Sequence, residues 1–187
     1  MVYFYFVLFN FYLGEISIIF KALNFLIGMG ELNKHYKIIS ACCYIRDKGR
    51  ILMLYRNKLD SHSHKKNYRG LGGKAEQGES PIECVKREIR EEAGIEIQPI
   101  WKGVVTFSDP STNDWEAHVF VAEGFKGELI SCNEGELTWI DESEVLNLDM
   151  PEGDKKIMPL LFEKNKFHAH LKYDADKRLV DSKIDFI

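Results

Sequence analysis

Gly73-Lys74-Ala75-Glu76-Gln77-Gly78-Glu79-Ser80-Pro81-Ile82-Glu83-Cys84-Val85-Lys86-Arg87-Glu88-Ile89-Arg90-Glu91-Glu92-Ala93-Gly94-Ile95 is the stretch from which the rest of the chain can be read. Its second half carries complete helix punctuation. Ser80 is an N-cap residue, Pro81 suits the first helical position, and Glu83 stands three residues after the cap as in a capping box. Ile82, Val85, Ile89 and Ala93 recur at helical spacing, and Gly94 supplies a left-handed stop, so a helix is expected from Pro81 to about Ala93.

On that helix Glu91 and Glu92 lie three and four positions from Glu88, which puts three carboxylates within an arc of about 100°. Their repulsion destabilises a bare helix. A solvated acidic face is the ordinary reading of such a run, but it leaves Gly70-Leu71-Gly72-Gly73 and Glu79 without a role. A hard divalent cation accounts for all of them. Mg2+ takes carboxylate and carbonyl oxygens and shares its shell with substrate phosphates, and glycines let backbone approach both closely.

Working outward, Tyr36 to Arg46 and Ile51 to Arg56 read as strands joined by a turn at Asp47-Lys48-Gly49. Residues 57 to 70 are polar and basic and read as a loop, in which His62 and His64 are expected to be solvent-exposed rather than metal ligands. Further strands are expected at Ile95 to Phe107, Trp115 to Glu123 and Leu137 to Ile140. Asp141 and Glu144 suggest a second capping box, a helix is expected from about Asp154 to Glu163, and Phe167 to Tyr173 and Leu179 to Phe186 form a closing pair of strands. Strands with interspersed helices imply an α/β or α+β domain without repeats.

The chain has 187 residues with 25 Lys and Arg against 29 Asp and Glu, a formal charge of −4, and this disfavours a general nucleic-acid binder. A polyanionic substrate then needs local cations, and Arg56, Arg69 and Lys74 are the candidates, each of them otherwise a solubilising surface charge. Cys42, Cys43, Cys84 and Cys132 form neither a C-x-x-C pair nor a zinc spacing and suit a reducing, cytoplasmic setting.

Residues 1 to 28 are a different kind of sequence, holding 9 of the 23 aromatic residues and only two charges, Glu15 and Lys21. No basic residues precede the apolar run and no small-residue cleavage site closes it, so a signal peptide is not the expected reading. Three readings stay open for this hydrophobic extension: an upstream misreading before an initiator at Met29, a membrane anchor, or an added packing helix. The domain proper is taken as residues 29 to 187.

The run from Gly73 to Ile95 resembles the signature of the Nudix hydrolase superfamily: Gly, five residues, Glu, seven residues, Arg-Glu, aliphatic, any residue, Glu-Glu, any residue, Gly, aliphatic. Every position is met. The resemblance implies an α/β/α sandwich with a mixed β-sheet and an enzyme that splits a pyrophosphate bond in nucleoside diphosphate derivatives with Mg2+ or Mn2+. It implies metal-binding roles for Glu88, Glu91, Glu92 and the Gly72 carbonyl, an orienting role for Arg87, and a part for Glu79 in the metal-water network. Glu88 and Glu91 are the candidate bases on the helix, and a carboxylate from elsewhere is a third option.

Arg69 to Lys74 resembles the approach to the box in MutT-type 8-oxo-dGTP diphosphatases, with Gly72, Gly73 and Lys74 at the substrate. Asn133 to Ile140 resembles their later acidic loop, where Glu134 matches a further metal-binding glutamate. Similarity continues through Glu152-Gly153-Asp154 and Val180 to Phe186. The implied substrate is an oxidised purine nucleoside triphosphate, a small molecule rather than a nucleic-acid polymer, converted to monophosphate and pyrophosphate as in sanitation of the nucleotide pool ahead of DNA repair. Trp139 and strand aromatics are candidate base-pocket walls or simply core, and Asp149, Glu152 and Asp154 are candidate purine-edge or plain capping groups. Pro110, sixteen residues past Gly94, resembles a mark of ADP-ribose pyrophosphatases and keeps that substrate as the alternative. A non-catalytic module of the same fold is the remaining one, although all four box glutamates are present.

Overall fold

A computed structural model describes residues 36–56, 67–108 and 113–187. The readings placed on residues 1 to 28, His62, His64 and Pro110 therefore lie outside the described residues. Apart from Tyr36, the described residues belong to one unit, Lys37–Ile187.

The run Lys37–Asp47 forms β1, Arg50–Arg56 β2, Asn67–Arg69 β3 and Leu71–Lys74 β4. After helix α1 (Pro81–Ala93) come β5 (Ile100–Ser108), β6 (Asp114–Glu123) and β7 (Glu136–Asp141), then short α2 (Glu152–Ile157) and the strands β8 (Phe167–Tyr173) and β9 (Leu179–Phe186). They join in one mixed sheet of order β3-β2-β1-β6-β5-β8-β9, with β4 also on β1 and β7 also on β2. The β1–β6 and β5–β8 pairs are parallel and the others antiparallel.

Strand alternation explains why β1 and β2 read as nearly continuous apolar runs. Ala41, Cys43, Ile45, Leu52 and Leu54 point to one face, where they meet Cys84, Val85, Ile89 and Ala93 of α1. Tyr44, Ile51 and Met53 point to the other, against Val145, Met150, Ile157, Met158 and Leu161. Both faces are covered, which removes the apolar-polar alternation of a half-exposed sheet. This is the α/β/α sandwich. Burial of Val85 and Ile89 contributes about 1.5–3 kcal/mol each.

Helix α1 begins and ends where its residues dictate. The Ser80 side chain accepts from the Glu83 N–H at 3.4 Å, Glu83 Oε2 accepts from the Ser80 N–H at 2.9 Å, and Gly94 closes the helix at φ 71° with its N–H on the Arg90 carbonyl. Ser80→Ala is expected to cost about 1 kcal/mol of stability, measured as a lower urea midpoint.

Four segments differ from the sequence expectation. Residues 67–69, expected as loop, form β3 on β2, and Leu71–Lys74 forms β4 on β1, where glycine permits a close approach that a glycine-rich string does not advertise. β5 starts at Ile100 and not at Ile95, since Pro99 has no N–H for a ladder; Glu96 instead bridges Lys126. Asp141 remains in β7, opposite Arg50, so the expected cap yields only a 3-10 turn at Val145–Asn147, with the Glu144 carboxylate accepting from Asn147 Nδ2 at 2.8 Å. The long helix to Glu163 stops at Ile157 and passes into a 3-10 turn at Met158–Leu160, where Pro159 cannot continue α-helical bonding.

Candidate active site

The β4 glycines determine how close α1 can sit to the sheet. Gly72 has φ 141°, and a Cβ there would run into the Ala41 carbonyl oxygen and stand 2.7 Å from Cys42 Cα. A Cβ on Gly73 would occupy the position of the Glu88 carboxylate. With both side chains absent, the Gly72 N–H donates to Glu92 Oε2 at 2.8 Å and the Cys84 thiol donates to the Gly73 carbonyl at 3.6 Å.

Arg87 organises the carboxylates. Its guanidinium donates twice to Glu79, at 2.9 and 3.0 Å, and also to Glu88 Oε1 at 2.9 Å, Glu91 Oε2 at 3.3 Å and the Lys74 carbonyl at 3.1 Å. A planar five-donor fork can hold this many oxygens at once, which an ammonium could not. Hydrogen bonds from Arg87 hold the Glu79 carboxyl below the usual carboxylate range.

The inward glutamates are driven the other way. Glu92 is only 6% exposed, and burial pushes its carboxyl up to about 8, with Glu88 and Glu134 adding repulsion that the Gly72 N–H and Arg56 only partly offset. Burial raises Glu88 as well, against the pull of Arg87. Glu91 is 60% exposed, and Glu134, 52% exposed, pairs with Arg56 Nη2 at 3.1 Å. Glu79, Glu88, Glu91, Glu92 and Glu134 thus face two guanidinium groups, Arg87 and Arg56.

Among the described residues no three His, Cys, Asp or Glu side chains stand together as a metal-holding group. The Arg87 and Gly72 hydrogen bonds turn the carboxylates toward donors instead of one another. The donor set nonetheless suits a hard dication, because it is all oxygen and carries an excess of negative charge whose repulsion already disfavours ionised Glu88 and Glu92.

The other candidates divide between two places. Arg56 joins the acidic group through Glu134. Arg69 Nε donates to Asn67 Oδ1 at 2.9 Å, and its charge acts on Asp154, whose carboxyl burial raises to about 6. Lys74 Nζ stands 5.1 Å over the Trp115 ring, which stacks on Phe107 at 5.6 Å, and Tyr173 meets Phe107 edge-on at 6.2 Å. Trp139 is elsewhere, packed with Phe125 against the α1 core. Trp115 was not singled out from the sequence, although its two-residue phase with Ala117 and Val119 would have placed it on the same face as Phe107.

The NUDIX domain pattern matches residues 36–161. The chain belongs to the Nudix family. It is 36% identical over 121 residues to the Nudix hydrolase YvcI of Bacillus subtilis, covering 61% of this chain and 77% of that protein. It is also similar to the oxidized purine nucleoside triphosphate hydrolase of Danio rerio, at 28% identity over 120 residues, with 63% of this chain and 77% of that one covered. Among solved structures, a MutT protein from Bacillus halodurans superimposes with a TM-score of 0.70 at 30% identity, covering 79% of this chain and 97% of that one. This Nudix chain is of the MutT type, and its family acts on pyrophosphate bonds.

Proposed function

We propose that this Nudix hydrolase is an Mg2+-dependent nucleoside triphosphate diphosphatase, with Mn2+ as a substitute, that converts 8-oxo-dGTP or a related oxidised purine triphosphate to the monophosphate and pyrophosphate. The observation that carries the proposal is the excess of glutamates around the β4 glycines, three of them held by Arg87. The names of the zebrafish and mouse relatives, both oxidized purine nucleoside triphosphate hydrolases, support the substrate class.

In this reading Glu88, Glu91, Glu92, Glu134 and the Gly72 carbonyl hold the metal. A divalent ion held there would supply charge to neutralise phosphate oxygens and to lower the pKa of a nearby water. Arg87 fixes the Glu79, Glu88 and Glu91 carboxylates, and a Glu88 or Glu91 oxygen accepts the proton from the attacking water. Arg56, Arg69, Gly72, Gly73 and Lys74 receive the triphosphate, while the Trp115–Phe107 stack offers a flat apolar wall for a base and Asp154 an acceptor for its edge.

The working unit in this proposal is residues 29 to 187, in the cytoplasm. Free thiols at Cys42, Cys43, Cys84 and Cys132 fit a reducing compartment. No helix among the described residues is long and apolar enough to cross a membrane. Intact mass of the native gene product tests the Met29 start.

The substrate is tested by chromatographic measurement of the nucleotide products across 8-oxo-dGTP, dGTP, ADP-ribose and dinucleoside polyphosphates. The expected result is the highest kcat/KM on 8-oxo-dGTP. Preference for ADP-ribose would replace the substrate assignment, and hydrolysis of none of them would favour a binding module.

A further inference from the structure

The Arg56–Glu134 pair occupies an odd position for a surface ion pair. Arg56 is the last residue of β2, and Glu134 precedes β7, which pairs with β2 along its length. Gly135 seats this junction tightly. A Cβ there would strike the Tyr55 carbonyl oxygen and lie 3.1 Å from Arg56 Cα, so the backbone bearing Glu134 is pressed against the end of β2. The two side chains meet at 3.1 Å by construction rather than by chance contact of long side chains.

The pair also reaches the acidic group. Glu134 and Arg56 both lie within electrostatic range of Glu92, whose carboxylate accepts from the Gly72 N–H at 2.8 Å and anchors α1 to β4. Arg56 therefore adds a second guanidinium beside the acidic group that Arg87 organises. A divalent cation would compete with the guanidinium for the Glu134 oxygens. A guanidinium that gives up a carboxylate keeps its planar donor fork, which fits a phosphate oxyanion equally well.

We propose that Arg56 is an exchangeable counter-ion: it occupies Glu134 in the metal-free protein, yields it to the divalent cation, and is then released to bind the polyphosphate. Arg56 is thus a substrate-binding residue that couples metal and substrate binding reciprocally, with either ligand favouring the other. The inference rests on the proposed metal-dependent function.

The test is a double-mutant cycle read by Mn2+ affinity, using titration calorimetry on the full chain without nucleotide, with circular dichroism to confirm folding. Arg56→Gln is expected to tighten Mn2+ binding about three- to tenfold, in line with removing an exposed ion-pair partner. In a Glu134→Gln background the same change should have less than a twofold effect. An unchanged or weaker Mn2+ affinity in Arg56→Gln overturns the exchange. An equal gain with and without Glu134 also overturns it, because Arg56 would then act only through its general field.

The second arm measures binding of inorganic triphosphate. With saturating Mg2+, Arg56→Gln should bind it about tenfold more weakly than the wild type, and without Mg2+ the two should agree within twofold. An equal loss in both conditions removes the coupling. These failures differ from failure of the underlying function, in which the wild-type protein itself would bind no Mn2+.

Discussion

Glu91→Gln should lower kcat/KM on the preferred triphosphate by about 100-fold or more while leaving the melting temperature within about 2 °C of the wild type. The two halves of this expectation have separate physical sources. Glu91 is 60% exposed and pairs with Arg87 at 3.3 Å, so its contribution to folding is that of a surface ion pair, about 0–1 kcal/mol. Its proposed work is on the metal and the attacking water, where an amide neither carries the charge nor takes the proton. Activity within a few-fold of the wild type, in protein that is folded and loaded with Mg2+, would remove Glu91 from the site. A melting temperature lowered by 10 °C would assign it to structure instead.

The second large effect is on stability and comes from Glu92. Its ordinary value of 4.5 is raised to about 8 in the folded chain, by burial first and by neighbouring carboxylates second. A carboxyl that holds its proton more tightly when folded contributes stability that is complete below the unfolded pKa. That contribution declines as pH rises between about 4.5 and 8, where the folded state binds the extra proton, and is gone above the folded value. The size is on the order of 3–5 kcal/mol. Asp154, raised to about 6, acts with the same sign over a lower window. Metal-free protein in chelator is therefore expected to have a lower urea midpoint at pH 8.5 than at pH 5.5. Glu92→Gln should flatten most of that slope, leaving the part due to Asp154 and Glu88. Saturating Mg2+ should restore the midpoint at high pH, since it binds the ionised folded state. Equal slopes in wild type and Glu92→Gln would show that Glu92 is ionised in the fold.

Legibility in the sequence followed the range of the interactions. Helix α1 was readable because Ser80, Pro81, Glu83 and Gly94 act on their own neighbours, and the hairpin of β1 and β2 because Asp47-Lys48-Gly49 is a local turn. The box glutamates were readable for the same reason, since their spacing lies within one helix. What Glu88 and Glu92 face was not. The Gly72 N–H and the space above Gly73 depend on β4 lying against β1, and nothing in Leu71-Gly72-Gly73-Lys74 announces a strand. The partnership of Arg56 with Glu134 is likewise a product of β2–β7 pairing. Trp115 and Phe107 belong to neighbouring strands, and only their phase relative to the buried residues brings them together. The helix expected from about Asp154 to Glu163 stops at Ile157, because Pro159 cannot continue α-helical bonding.

The parallel pairing of β1 with β6 has a kinetic consequence. Its partners, such as Arg46 and Glu123, are 77 residues apart, and β4 and α1 both lie in the loop that this pairing closes. Such long-range closure loses chain entropy before its contacts repay it, which places the domain among slower folders. The glutamates and the glycines they face therefore come to rest together with the central sheet. A nascent chain that has not yet emerged as far as Glu123 should carry α1 as a fluctuating helix, without the charge cluster that distinguishes the finished molecule.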